Sequence, residues 1–432
     1  MMELPEEILK ILEQLRLHHE LFGDGLPMIA SENVMSPLAE MMMISDLAHR
    51  YAEGLPGKRY YQGLVHYDVI EEMAFSLARE VFDAPYADVR PISGTVANMA
   101  VLMAYGRPGG RVIGVPTQAG GHISHAEFGA VGLRGMERFD LPVDQRTGLI
   151  LVDEAARKIR EVEPDLIILG RSAFLMPEPV RELSQVAEEV GAVLWYDAAH
   201  VLGLIGGGVF QHPLKEGARV VSASTHKTFP GPQHGIILAN PADEEDEKRL
   251  RRAVFPGVVS NHHLMSVAAL AVTLVEFKHF GREYASQVVR NARRLGEALY
   301  ERGFRVLLPD MGFTRTHQLL VDMREFGNGR KAAVLLEKAG IIVNYNMLPW
   351  DPPNRPRSPS GIRIGVQELT RVGMRESEME QVAEFFERVL KRGEDPARVK
   401  EDVREFKRGF RKVRYCFTPE DAYEFRELVR IN

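Results

Sequence analysis

Between residues 70 and 275, short apolar runs alternate with segments whose apolar positions recur every three or four residues. The runs RVIGV (111–115), DLIILG (165–170), AVLWYDAA (192–199), ARVVSAS (218–224) and GIILA (235–239) are apolar at successive positions and rich in β-branched residues. Such runs predict strands buried on both faces. VIEEMAFSLAREVF (69–82), VDEAARKIREVE (152–163) and VRELSQVAEEVG (180–191) have helical spacing instead. Strands apolar on both faces and separated by helices predict a mostly parallel sheet covered on two sides, an α/β fold.

Beyond residue 275 the pattern changes. Long charged helices, YASQVVRNARRLGEALYERG and ESEMEQVAEFFERVLKRG, flank short strands such as HQLLVDM (317–323) and GIRIGV (361–366). The expected organisation is a helical arm (1–30), a large domain (31–275) and a smaller α+β domain (276–432). The opening MMELPEEILKILEQL is acidic and sets Ile8, Leu9, Ile11, Leu12 and Leu15 on one helical face, unlike a signal peptide. The run LMSVAALAVTLVEF from Leu264 is too short to span a bilayer and is expected to be a core helix. LPWDPPNRPRSPSG (348–361) is a Pro-rich loop long enough to be functional. KRGFRKVRY (407–415) is expected to be a solvated helix face.

Composition narrows the function classes. The 432 residues are 45 % hydrophobic and 26 % charged, as in ordinary globular proteins. A net charge of −6 argues against a general nucleic-acid footprint. One cysteine, Cys416, excludes an intramolecular disulfide and a cysteine-rich metal site. A cytoplasmic protein with no membrane partner and no metal is expected.

In such sheets ligands sit beyond the carboxyl ends of the strands. Three polar clusters fall at such ends: Asp197 and His200 in YDAAH, Ser93, Gly94 and Thr95 in PISGTVAN, and His226 and Lys227 in SASTHKTFPGPQHG. A loop lysine is ordinarily solvated, and Ser-Gly-Thr is also an ordinary helix cap. Their combination is more specific. Pyridoxal phosphate needs an anion cradle at a helix N-terminus, a carboxylate opposite its ring nitrogen, and an amine for its aldehyde. His122 in GGHISH offers an imidazole to lie against that ring. Arg363 in SGIRIG suits bidentate capture of a carboxylate, with a structural ion pair as the competing explanation.

IASENVMSP (29–37), HRYAEGLPGKRYYQG (49–63), GGHISH, YDAAHVLGLIGGG (196–208), STHKTFPGPQHG (224–235) and SGIRIG resemble serine hydroxymethyltransferases, the archaeal ones in particular, in order and spacing. The resemblance implies an aspartate-aminotransferase-like pyridoxal-phosphate fold and a homodimer with shared active sites. It implies interconversion of serine and glycine, the one-carbon unit passing to a reduced pterin. By position Lys227 would be the Schiff-base lysine, Asp197 the partner of the ring nitrogen, and His122 the stacking residue. His200 would lie near the ring oxygen and the substrate. Ser93, Gly94, Thr95 and His226 would serve the phosphate, with Ser172 and Ser224 also touching the cofactor. Ser31 and Arg363 would hold the substrate carboxylate. Tyr51, Glu53 and Tyr61 would reach in from the second subunit, Glu53 to move protons, and Gly121 and Trp350 would meet the pterin.

Three stretches depart from the commoner family wording. GPQHG replaces GPRGG, VVSNHH (258–263) stands where a partner-phosphate loop is usual, with His262 at that contact, and Pro349-Trp350-Asp351 replaces Pro-Asn-Asp. Trp350 offers a single donor, which favours a modified pterin such as tetrahydromethanopterin over tetrahydrofolate. A pterin-independent aldolase acting on threonine or allo-threonine would use the same lysine, aspartate and arginine. A non-catalytic paralogue is the remaining alternative.

Overall fold

A seven-stranded sheet forms the centre of the computed structural model, which describes residues 4–353 and 356–424. Its strands are β1 (Tyr86–Asp88), β2 (Arg111–Gly114), β3 (Glu137–Asp140), β4 (Leu166–Leu169), β5 (Val193–Asp197), β6 (Val220–Ser224) and β7 (Gly235–Ala239). They lie in the order β1-β7-β6-β5-β4-β2-β3. The pairs from β6 to β3 are parallel, and β7 runs antiparallel to both β6 and β1. This is the mostly parallel α/β sheet that the apolar runs predict.

Successive side chains leave opposite faces of a strand, so the same runs feed two cores. Ile167, Leu169, Leu194, Tyr196 and Val221 pack on one face, and Leu166, Ile168, Trp195 and Val220 on the other. The main helices are α1 (Glu6–Asp24), α2 (Val65–Phe82), α3 (Gly94–Tyr105), α4 (Val152–Val162), α5 (Val180–Val190), α6 (Leu264–Glu301), α7 (Gly329–Lys338), α8 (Glu376–Leu390) and α9 (Pro396–Lys407). Helix α3 covers the second face through Ala97, Ala100 and Val101. Helices α4, α5 and α6 join the first core through Ile159, Leu183, Val267 and Leu270. A second sheet, in the order β8-β9-β11-β10, contains β8 (Arg305–Val306), β9 (Gln318–Asp322), β10 (Asn344–Asn346) and β11 (Gly361–Gly365), all antiparallel.

Two elements differ from the sequence expectation. The apolar run from Leu264 and the charged segment after it form one 38-residue helix, which passes straight through residues 275 and 276. The helix continues because its charges find surface partners, as in the Arg290–Glu376 pair at 2.8 Å. By length and hydropathy, an 18-residue stretch of it could cross a bilayer, but 67 % of that stretch is buried within the protein. It is a core helix, longer than expected. The run 407–415 is not a solvated helix face either. Helix α9 ends at Lys407, which is fully buried, with its ammonium 3.2 Å from the Tyr423 hydroxyl. The apolar face of α1 exists, yet Ile8, Leu9, Ile11 and Leu15 are exposed. In the Pro-rich loop, residues 354 and 355 lie outside the described residues.

Candidate active site

Parallel pairing aligns Asp197 at the end of β5 with Ser222 of β6, so both strands deliver their last residues to one edge of the sheet. β1 points the same way, because it lies antiparallel to β7 as β6 does. The turn after β1 therefore starts α3 at that same edge. A cleft of about 530 Å³ opens there, lined by Ser93, Gly94, Thr95, Asn98, His122, Arg171, Ser172, Asp197, Ala199, His200, Ser224, His226 and Lys227. Nearly all of the cofactor residues expected from the sequence converge on it.

The α3 N-terminus is built for an anion. Ser93 caps the helix by accepting the Val96 N–H at 3.1 Å, and other N–H groups of a first helical turn have no partner within the helix. A Cβ at Gly94 would sit 2.8 Å from the Ser224 hydroxyl, so only glycine lets β6 approach this closely. His226 also lines the cleft, with a buried Nδ1 that has no hydrogen-bond partner among the described residues. Burial lowers its pKa to about 3, so the ring is neutral and suited to a hydrogen bond rather than a charge.

Asp197 is buried and fully engaged. Its Oδ2 accepts Asn98 Nδ2 at 2.9 Å and lies 2.9 Å from His125 Nε2, and its Oδ1 accepts the Ala199 N–H at 3.0 Å. Burial alone would raise its pKa. The hydrogen bonds from His125 and the Ala199 N–H outweigh that and hold the carboxyl well below its ordinary range. Asn98 is fixed in turn by the Ser222 hydroxyl, 2.6 Å from its Oδ1, and Trp195 Nε1 donates to Ser222 at 2.7 Å. His122, His125 and Asp197 present ligand atoms within 4.8 Å of one another, a spacing a metal ion could use, but hydrogen bonds already occupy those of Asp197 and His125.

The Lys227 amine donates to Ser224 Oγ. Burial lowers its pKa to about 8, with Asp197 pulling it up and Arg363 pushing it down. His122 is brought to about 4, chiefly by burial. His200 is driven well below the imidazole range by burial, and its Nδ1 receives Gln318 Nε2 at 2.7 Å. Arg363 comes from the second sheet and donates to the Ser172 carbonyl at 2.7 Å and to Asn344 Oδ1 at 3.1 Å. Burial lowers it only to about 10, so it stays cationic at neutral pH. Ser31 stands in a segment pinned to the same place: Asn33 Nδ2 donates to the Lys227 carbonyl at 2.6 Å, and Gln367 Nε2 donates to Ile29 O and Glu32 O.

Other expected residues lie elsewhere. Tyr51, Glu53 and Tyr61 do not line the cleft within one chain. They gather around Ser260, which donates to Glu53 at 2.5 Å and lies 3.3 Å from the Tyr51 hydroxyl, and the Tyr51 and Tyr61 rings are 4.9 Å apart. His262 turns inward to the Tyr67 hydroxyl at 2.8 Å and to Glu71 at 3.0 Å. Gly121 is buried, with no room for a Cβ against the Val115 carbonyl. Trp350 lies under Arg324, 5.1 Å from the ring centre, and its buried Nε1 has no hydrogen-bond partner among the described residues. Asn98, His125 and Gln318 are site residues that the sequence analysis missed. A polar residue one turn into an apolar helix was the one available signal, for Asn98.

The comparisons with known proteins agree with this geometry. The profile of the serine hydroxymethyltransferase family matches residues 2–386. The chain belongs to that family. A serine hydroxymethyltransferase of Thermoplasma acidophilum is 50 % identical over 419 residues, covering 97 % of this chain and 98 % of the relative. The Methanopyrus kandleri protein of that name is 51 % identical over 414 residues, covering 95 % and 96 %. That of Pyrococcus abyssi is 50 % identical over 411 residues, covering 94 % and 96 %. The family is of the fold-type-I pyridoxal-phosphate class, and the enzyme is a pyridoxal-phosphate-dependent transferase. The unpartnered imidazole, the glycine-only contact at the α3 N-terminus, the anionic Asp197 and the desolvated lysine fit that cofactor.

Proposed function

We propose that this enzyme transfers the hydroxymethyl carbon of serine to a reduced pterin, releasing glycine, at the cleft around Lys227. Bound pyridoxal phosphate supplies an aldehyde for amines and an electron sink when the Cα–Cβ bond breaks. The chain's own residues supply the rest. Lys227, with its pKa near 8, has a substantial neutral fraction and can attack a carbonyl or hold a proton at Nζ. Asp197 stays anionic and favours a protonated nitrogen opposite it. Ser93, Gly94, Thr95, Ser224 and His226 hold the phosphate, and neutral His122 lies on the ring. Arg363 and Ser31 orient the substrate carboxylate, and Ser172 fixes Arg363 through its carbonyl. Neutral His200 accepts from Gln318 at Nδ1, so its proton sits on Nε2, which can donate a hydrogen bond near the reacting atoms.

Glu53 moves the proton between substrate oxygen and pterin, with Tyr51 and Tyr61 beside it, all three contributed by a second copy of the chain. The surface supports a homodimer: Ile44, Tyr60, Val65, Val69, Phe128 and Leu133 are large apolar side chains left exposed in one chain. The cleft draws Lys227 and Asp197 from the first sheet and Arg363 from the second, which supports a large and a small domain on either side of it. One cysteine in 432 residues supports a reducing, cytoplasmic setting.

The observation that carries the reading is the desolvated lysine facing a buried anionic aspartate beside a capped helix N-terminus. Gly121 and Trp350 are assigned to the pterin. Trp350, with a single donor, supports a modified pterin such as tetrahydromethanopterin. Serine cleavage measured with each pterin tests this. Higher kcat/KM with tetrahydromethanopterin is expected, and clear preference for tetrahydrofolate would overturn the assignment.

A further inference from the structure

The turn after β4 contains a buried arginine with no role in the proposed reaction. Arg171 Nε and Nη2 donate to the two carboxylate oxygens of Glu178 at 2.5 and 2.8 Å. Its Nη1 donates to the Gly148 carbonyl at 2.7 Å and the Ala119 carbonyl at 3.2 Å. Both side chains of the ion pair are buried. Glu178 is itself anchored: its N–H donates to Gln211 Oε1 at 2.8 Å, and Gln211 Nε2 donates back to its carbonyl at 3.0 Å. Gln211 also accepts the Tyr196 hydroxyl at 2.9 Å, which ties the anchor to β5, the strand of Asp197.

The group that Arg171 holds is the loop between β2 and His122. Ala119 belongs to it, and the neighbouring Gly120 carbonyl accepts the N–H groups of Ser172 at 2.6 Å and Ala173 at 3.3 Å. Gly120 has φ +97°, and a Cβ there would meet Ala173 at 2.8 Å, so the loop lies tight against the 171–173 turn. Two residues further on is His122. Arg171 also borders both the Lys227 cleft and a neighbouring 350 Å³ cavity formed by residues 118–120, 147–149, Leu175, Met347 and Pro349.

We propose that Arg171, locked by Glu178, is a positioning residue that sets the height of His122 over the cofactor ring. The proposal rests on the reading that His122 faces that ring. Only a guanidinium meets the geometry, since two parallel donors engage the carboxylate while a third nitrogen bridges two loop carbonyls. A lysine could keep the charge pairing but not the bridge.

The test compares His122→Ala, Arg171→Lys, Arg171→Met and the double variant Arg171→Met/Glu178→Leu. Each is read by the absorbance spectrum of the bound cofactor, the dissociation constant of pyridoxal phosphate and thermal unfolding of the cofactor-free enzyme. His122→Ala is expected to shift the spectrum and weaken cofactor binding about tenfold, the loss of one ring contact. Arg171→Met should reproduce both effects and also unfold at lower temperature, because it leaves Glu178 buried and unpaired. The double variant removes that stranded charge, so its unfolding temperature should recover while the shifted spectrum and weakened affinity persist. Arg171→Lys should remain folded with the spectral shift. If the double variant or Arg171→Lys recovers the wild-type spectrum and affinity, Arg171 is merely structural and the proposal is overturned. If His122→Ala leaves the spectrum and affinity unchanged, the reading of His122 fails first, and this proposal falls with it.

Discussion

Lys227 joins a turn of small residues to a buried strand end, and its amine donates to the Ser224 hydroxyl. Burial brings it to about 8 from the ordinary 10.5. Between those values the unfolded chain binds more protons than the folded cofactor-free enzyme, so stability rises with pH across that window and the penalty is complete below it. Capture of pyridoxal phosphate by the cofactor-free enzyme, followed by absorbance, should therefore climb with a midpoint near pH 8. A midpoint near 10.5 would mean a solvated amine. Lys227, Asp197, Ser93 and Arg363 were legible because each follows or lies within a recognisable apolar run. His125 and Gln318 were not: one reaches Asp197 across 72 positions and the other reaches His200 across 118, contacts that exist only after folding. Arg171 and Glu178 are seven residues apart, but nothing in their spacing shows that the chain between them folds back.

The elements carry constraints of their own. Gly170 closes β4 with φ +99°, and a Cβ there would lie 2.1 Å from the Asp197 carbonyl. Gly170→Ala should destabilise the protein by about 2–4 kcal/mol, through left-handed backbone strain and a clash that the packed sheet cannot relieve. Denaturant unfolding measures this, and a loss well under 1 kcal/mol would show a softer sheet edge than described. Ser93→Ala removes the α3 cap, at a cost of about 1 kcal/mol. It should also weaken cofactor binding, because the hydroxyl lies at the proposed phosphate site. Equal affinity for pyridoxal phosphate, measured by titration, would place the phosphate elsewhere. The sheet was readable from the sequence because burial on both faces leaves uninterrupted apolar runs. Helix α6 was harder to read, since its charged second half looks like a separate surface helix. Its continuity depends on packing against other elements.

At the scale of the molecule, one chain leaves Tyr51, Glu53 and Tyr61 away from the Lys227 cleft, with both tyrosines exposed. A dimer that shares its sites predicts complementation. Lys227→Ala and Glu53→Gln subunits, each inactive alone, should regain about a quarter of wild-type activity when mixed and re-associated, because each hybrid dimer has one intact site. No recovery on confirmed subunit exchange would mean that Glu53 serves its own chain. The central claim is pterin-dependent cleavage of serine at Lys227. Its most direct test is glycine formation from serine with and without a reduced pterin, in the wild-type enzyme and in Lys227→Ala. The account predicts glycine formation that requires the pterin, with the variant slower by on the order of 10⁴-fold and lacking the visible-edge absorbance of the lysine-bound cofactor. Cleavage at an equal rate without pterin, or an unimpaired Lys227→Ala enzyme, would contradict it.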